Sequence, residues 1–98
     1  MSAQKSTMKR PVVVTTEFRG VFFGYCEDTD ADPLTLTGAR LCISWSTDVH
    51  GFMGLASGGP TKNCKIGPRA DITLKKITSV LECTPDAVKA WEAAKWIV

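Results

Sequence analysis

PVVVTTEFRGVFFGYC, residues 11–26, reads as two strands joined by a turn. Pro11 is tolerable at a strand start, and the β-branched run from Val12 to Thr16 suits a pleated surface. Glu17–Gly20 supplies the turn, and the chain returns over Gly20–Cys26. On the return, Val21, Phe23 and Tyr25 share one face, while Phe22 and Cys26 share the other with Gly24 between them. Both faces are apolar. Such a strand is covered on two sides or enters a small barrel.

Downstream, Glu27–Pro33 is an acidic loop by composition. Leu34–Thr37 (LTLT) alternates as a short strand that Gly38 breaks. Leu41–Trp45 (LCISW) alternates again, with Leu41, Ile43 and Trp45 expected inward. Turn chemistry at Asp48–Gly51 precedes another short apolar run, Phe52–Ala56. Ser57–Pro60 is a strong breaker, and the stretch to Pro68 is expected to be mostly irregular. A last β segment runs from Ile72 to Cys83, and its alternation slips at Lys75–Lys76. A turn or bulge there would set Ile77, Ser79, Leu81 and Cys83 opposite Thr78, Val80 and Glu82.

The chain then predicts a helix over 85–96. Thr84 is an N-cap residue, Pro85 suits the first helical position, and Asp86 meets the positive end of the helix dipole. Ala87, Val88, Trp91 and Ala94 form one stripe. A helix this short is marginal alone and must dock through that stripe. The predicted fold is mainly β (α+β), with five to seven short strands and one C-terminal helix. It is a small, strongly bent antiparallel sheet or an SH3-like or OB-like barrel, an open sheet with the helix on one face being the alternative. Residues 1–10 are expected to form a disordered basic leader and 11–98 a single globular domain.

Lys5, Lys9 and Arg10 place three positive charges in the first ten residues, so the +2 chain has a body of −1. A nearly neutral body is not the footprint of a strong nucleic-acid binder. The longest apolar runs, Val12–Val14 and Val21–Phe23, are far too short to cross a bilayer, and no membrane partner or secretory signal is expected. Cys26, Cys42, Cys64 and Cys83 lie at least sixteen positions apart, without the short knuckle of a zinc site. Free thiols in a reducing cytoplasm are expected, with no metal and no cofactor.

Asp28–Asp32 imitates the opening of an EF-hand loop, but Pro33 stands where glycine is needed and Ala39 where a bidentate carboxylate is needed. Gly54–Lys62 lacks the Gly-Lys-Ser/Thr of a phosphate-cradling loop. Pro60–Arg69 (PTKNCKIGPR) is more informative: Lys62, Lys65 and Arg69 carry three positive charges with no acid among them. They form a candidate anion site, near which Trp45 or Phe52 could stack a base; a solvated loop guarding a sheet edge is the plainer reading. His50 with Asp48 or Cys64 is the candidate site of a small enzyme, but no thiol is placed beside Asp48 and His50 by spacing. Ser44 and Ser46 lack the glycine-flanked elbow of a hydrolase. No catalytic residue is assigned. Trp45 and Trp91 fit core positions, whereas Trp96 and Ile97 at the chain end, with Phe52, are candidate partner-binding residues.

The runs VVVTTEFRGVFFGY (12–25), LTLTGARLCISWS (34–46), GFMGLASGGPTKNCKIGP (51–68), ITLKKITSV (72–80) and TPDAVKAWEAAKW (84–96) resemble, in their order of glycines and tryptophans, a family of short uncharacterised proteins encoded by tailed phages and prophages. The resemblance spans Val12–Trp96. It implies a viral accessory protein expressed in the bacterial host cytoplasm, and no catalytic residues to carry over. The leading expectation is therefore a non-enzymatic protein that binds a host macromolecule, such as a defence or metabolic factor that it inhibits or that senses it. An anion, nucleotide or nucleic-acid sequestering module using the 60–69 loop is the alternative, and a second copy of the chain is a further candidate partner.

Overall fold

The computed structural model describes residues 9–17, 20–45 and 47–94. Leader residues 1–8, the expected helix end at 95–96, and hence Trp96 and Ile97, lie outside the described residues. In chain order the elements are β1 (Arg10–Thr16), β2 (Val21–Cys26), β3 (Leu34–Ser44), a 3-10 turn (Thr47–Val49), α1 (Gly51–Ser57), β4 (Lys65–Leu74), β5 (Ile77–Glu82) and α2 (Pro85–Ala93). The strands make one antiparallel sheet in the order β4-β3-β2-β1-β5.

That order forces a bend. β4 and β5 hold the two edges, yet only Lys75 and Lys76 join them. Four strand spacings across a flat sheet amount to about 19 Å, whereas the three Cα steps from Leu74 to Ile77 reach at most about 11 Å. The sheet must curl until its edges approach at this corner. The edges do not pair, so the expected barrel is not closed, and the bent open sheet with a helix on one face is what forms.

The curl produces two apolar layers, which explains why both faces of the first hairpin are apolar. Val12, Val14, Cys26, Leu34, Leu36, Ala39 and Leu74 fill one side of the sheet. Val13, Val21, Phe23 and Cys42 face the other way, against Leu55 and Ala56 of α1 and Ala87 and Trp91 of α2. Val13 lies opposite both Phe23 and Leu81, and β1 is buried on both faces. Trp91 stacks on Phe23 with ring centroids 5.1 Å apart and donates Nε1–H to the Leu55 carbonyl at 3.0 Å. The helix stripe therefore docks as its pattern implied.

Four local expectations are corrected. Gly38 does not end a strand: at φ 58° it is absorbed as an extra residue within β3, opposite Gly24. A Cβ on Gly24 would stand 3.0–3.2 Å from Leu36 and Ala39, so the irregularity sits where the neighbouring strand has no side chain. The extra residue reverses the alternation. Cys42 turns into the helix-side core, and Leu41, Ile43 and Trp45, expected inward, are 41%, 48% and 39% exposed. The apolar run Phe52–Ala56 belongs to helix α1, which buries Leu55 and Ala56 and leaves Phe52 and Met53 outward. The stretch expected to be irregular is β4 from Lys65 onward. Its Pro68 is tolerated because β4 is an edge strand.

The fourth correction concerns β5. Thr15 lies opposite Ser79 but Thr16 opposite Ile77, leaving Thr78 as the extra residue of a bulge. The expected turn does stand at Lys75–Lys76, between β4 and β5, but the phase slips once more at Thr78. Ile77 joins Val80 in one core, while Leu81 and Cys83 pack on the other.

Candidate docking groove

The bulge builds the site. Two successive strand residues normally point to opposite faces, but the extra residue re-aims Thr78, so its hydroxyl and that of Ser79 both meet Thr15. Thr78 Oγ1 is 2.6 Å from Thr15 Oγ1, and Ser79 Oγ hydrogen-bonds the same atom. Thr15 is 8% exposed, so its hydroxyl is satisfied within the protein. Beyond this hydroxyl floor, Val21 and the aromatic rings of Trp45 and Phe52 complete a groove of about 540 Å³. Trp45 arrives from the end of β3 and Phe52 from the outer side of α1. None of the described residues lining the groove carries a charge. An aromatic-walled, hydroxyl-floored depression binds by burying apolar groups and by fixing their orientation with a few polar contacts.

Of the candidate partner-binding residues, Phe52 is half-exposed and lines this groove. Trp45, read as a core residue, lines it as well. The hydroxyls of Thr15, Thr78 and Ser79 were not singled out by sequence reasoning, because the bulge that gathers them has no composition mark beyond the faltering alternation after Leu74.

The basic triplet is carried by the turn before β4 and by β4 itself. Lys62 lies in the turn before β4, in a separate depression of about 340 Å³ beside Cys64, Ala90 and Ala94. Lys65 opens β4, and Arg69 follows four residues on, about 13 Å along an extended strand. Arg69 forms an ion pair with Glu92 of α2 and donates to that residue's carbonyl.

Glu92 also accepts the Tyr25 hydroxyl. Burial works to raise the Glu92 pKa, but Tyr25 and Arg69 outweigh it and hold the carboxyl below its ordinary value. Burial first, then the Glu92 contact, pushes Tyr25 up to about 12. Next to this trio Arg40, 3% exposed, donates Nε–H to the Gly67 carbonyl at 2.9 Å and Nη1–H to the Trp91 and Ala94 carbonyls. These charges clamp α2 to the sheet.

His50 is exposed, with left-handed backbone (φ 62°) ahead of α1. Asp48 accepts hydrogen bonds from Thr61 Oγ1 and Asn63 Nδ2, both at 3.2 Å, and so ties the loop before β4. Cys64 contacts the Thr61 hydroxyl at 3.8 Å. Burial pushes the Cys42 and Cys83 thiols up to about 12 and raises Cys26 as well, which keeps these sulfurs protonated and weakly nucleophilic at neutral pH. Among the described residues, no group of three or more His, Cys, Asp or Glu side chains is placed to hold a metal, and no helix is long and apolar enough to cross a membrane.

Comparison with known proteins agrees with the uncharacterised-family part of the resemblance. A family profile described as a domain of unknown function (DUF6948) matches residues 9–91, and the chain belongs to that family. Neither the curated proteins nor the solved structures contain a significant match.

Proposed function

We propose that this member of the DUF6948 family is a non-enzymatic, phage-encoded accessory protein that acts in the bacterial host cytoplasm by docking on a host protein through the Trp45–Phe52 groove. The observation that carries this reading is the half-exposure of two large aromatic rings around a depression whose described lining residues carry no charge. Buried aromatic anchors dominate protein–protein interfaces. Exposed Met53 beside Phe52 adds to the apolar surface. A defence or metabolic factor that is inhibited, or that senses this protein, is the target class. The anion-sequestering alternative draws less support, because Arg69 is already ion-paired with Glu92.

The test is differential capture from a bacterial lysate. A Trp45→Ala/Phe52→Ser variant whose melting matches the parent should lose a host protein that the parent retains. A Lys62→Ala/Lys65→Ala/Arg69→Ala variant should keep it. Equal retention by the groove variant, or loss confined to the basic variant, overturns the proposal.

A further inference from the structure

The hydroxyl floor carries an inference about what the groove accepts, one that rests on the docking reading above. Thr15, Thr78 and Ser79 bring three hydroxyl protons, while the two contacts among them consume two. If Thr78 and Ser79 both donated to Thr15, the Thr15 proton would be stranded at a nearly buried position, which is costly. The economical arrangement has Thr15 accept from one neighbour and donate to the other. The remaining proton then sits on Thr78 or Ser79, both of which line the groove. Thr16 adds a second donor, since its Oγ1 accepts from Gly20 N–H at 3.1 Å and its own proton is spare.

Through its described lining residues the groove therefore presents outward O–H dipoles and apolar walls, and none of those residues carries a formal charge. Glu17, next in the chain to Thr16, and Lys76, two residues before Thr78, stand 4.0 Å apart and offset each other. The electrostatic complement is an uncharged group with a hydrogen-bond acceptor. Among the described lining residues a carboxylate would meet no cation to replace its hydration, and an ammonium would meet no carboxylate.

We infer that the groove binds an uncharged peptide segment, seating one bulky apolar side chain between Trp45 and Phe52 while a main-chain carbonyl of that segment accepts from Thr16 and from whichever of Thr78 and Ser79 holds the spare proton. The β5 bulge is then a recognition device, because it alone puts Thr78 on the groove side.

The experiment titrates the full chain with N-acetyl-leucine methylamide and follows amide and indole resonances by NMR. N-acetyl-leucine, with its free carboxylate, is the charged control. Saturable shifts at Thr16, Thr78, Ser79 and the Trp45 indole are expected with the methylamide, and weaker ones with the acid. Thr78→Val/Ser79→Ala should weaken methylamide binding about five- to tenfold, the scale of one hydrogen bond. The exchange variant Thr78→Ser/Ser79→Thr, which keeps both hydroxyls, should restore it and guards against a merely structural loss. Shifts elsewhere, equal binding of the acid, or full affinity in the hydroxyl-free variant overturns the inference. Its failure is distinguishable from that of the docking reading: a host protein lost from the Trp45→Ala/Phe52→Ser variant upholds docking whatever the methylamide does.

Discussion

Arg40 is a buried cation whose compensation comes from backbone. Its guanidinium spans three carbonyls, one in β4 and two at the C-terminal end of α2, where the helix dipole is negative. Arginine suits this because its fork holds several donors in fixed directions, whereas a lysine ammonium is a compact point charge on a flexible stem. Arg40→Met keeps much of the side-chain volume but leaves those carbonyls without their donor. It should lower the free energy of unfolding by about 2–4 kcal/mol, the range for orphaning buried partners of a charged hydrogen bond. Arg40→Lys should recover only part of that. Urea unfolding measures both, and a methionine variant as stable as the parent would show that the clamp holds nothing. The sequence held one clue to Arg40, a charge set in an otherwise uncharged strand, but the Gly38 phase change conceals which way it points.

Among the elements, α2 was legible and β3 was not, and the reasons differ. Helix α2 is specified by neighbouring residues. Thr84 accepts from Ala87 N–H at 3.1 Å and also donates to the Ser57 carbonyl at 2.6 Å, so one side chain caps α2 and ties it to α1. Thr84→Ala removes both contacts and should cost about 1–2 kcal/mol, with the thermal midpoint falling by several degrees. Thr84→Ser keeps both and should restore most of the loss. Between the helices, Gly59 (φ 82°) allows backbone contact: a Cβ there would stand 2.5 Å from the Ala90 Cβ. Gly59→Ala should therefore destabilise more than the cap loss, in the same melting experiment. By contrast, the register of β3 depends on an extra residue opposite Gly24, a relation between strands that no window along one strand contains. One slipped residue exchanges the inward and outward sets, so the alternation points Leu41, Ile43 and Trp45 into the core although all three are exposed. β5 hid its bulge for the same reason, and with it the hydroxyls that floor the groove.

At the scale of the molecule, the curled sheet buries polar and sulfur-bearing groups that water would otherwise reach, and this sets how stability responds to pH. Tyr25, Cys42 and Cys83 each have a folded pKa of about 12, above their ordinary values near 10 and 9. Burial is the first cause in all three, reinforced at Tyr25 by Glu92 and at Cys42 by Cys64. The folded state thus holds these protons more tightly than the unfolded chain. Their contribution is intact below about pH 9 and is lost as pH rises toward 12. Glu92 acts oppositely: its folded pKa is depressed, so its contribution is present above the ordinary carboxylate range and lost as pH falls through the lower folded value. Thermal midpoints measured in reducing buffer should therefore form a plateau from weakly acidic pH to about pH 9 and decline on its alkaline side. Cys83→Ala removes one of the four groups whose folded pKa is raised, Cys26 being the fourth, and should make that decline shallower without moving the acid limb. Glu92→Gln should flatten the acid limb and lower the plateau, since Arg69 and Tyr25 lose their shared acceptor. A parent midpoint constant from pH 8 to 11 would mean that these side chains are already open to water in the folded state, and that the two apolar layers are not sealed by the bend.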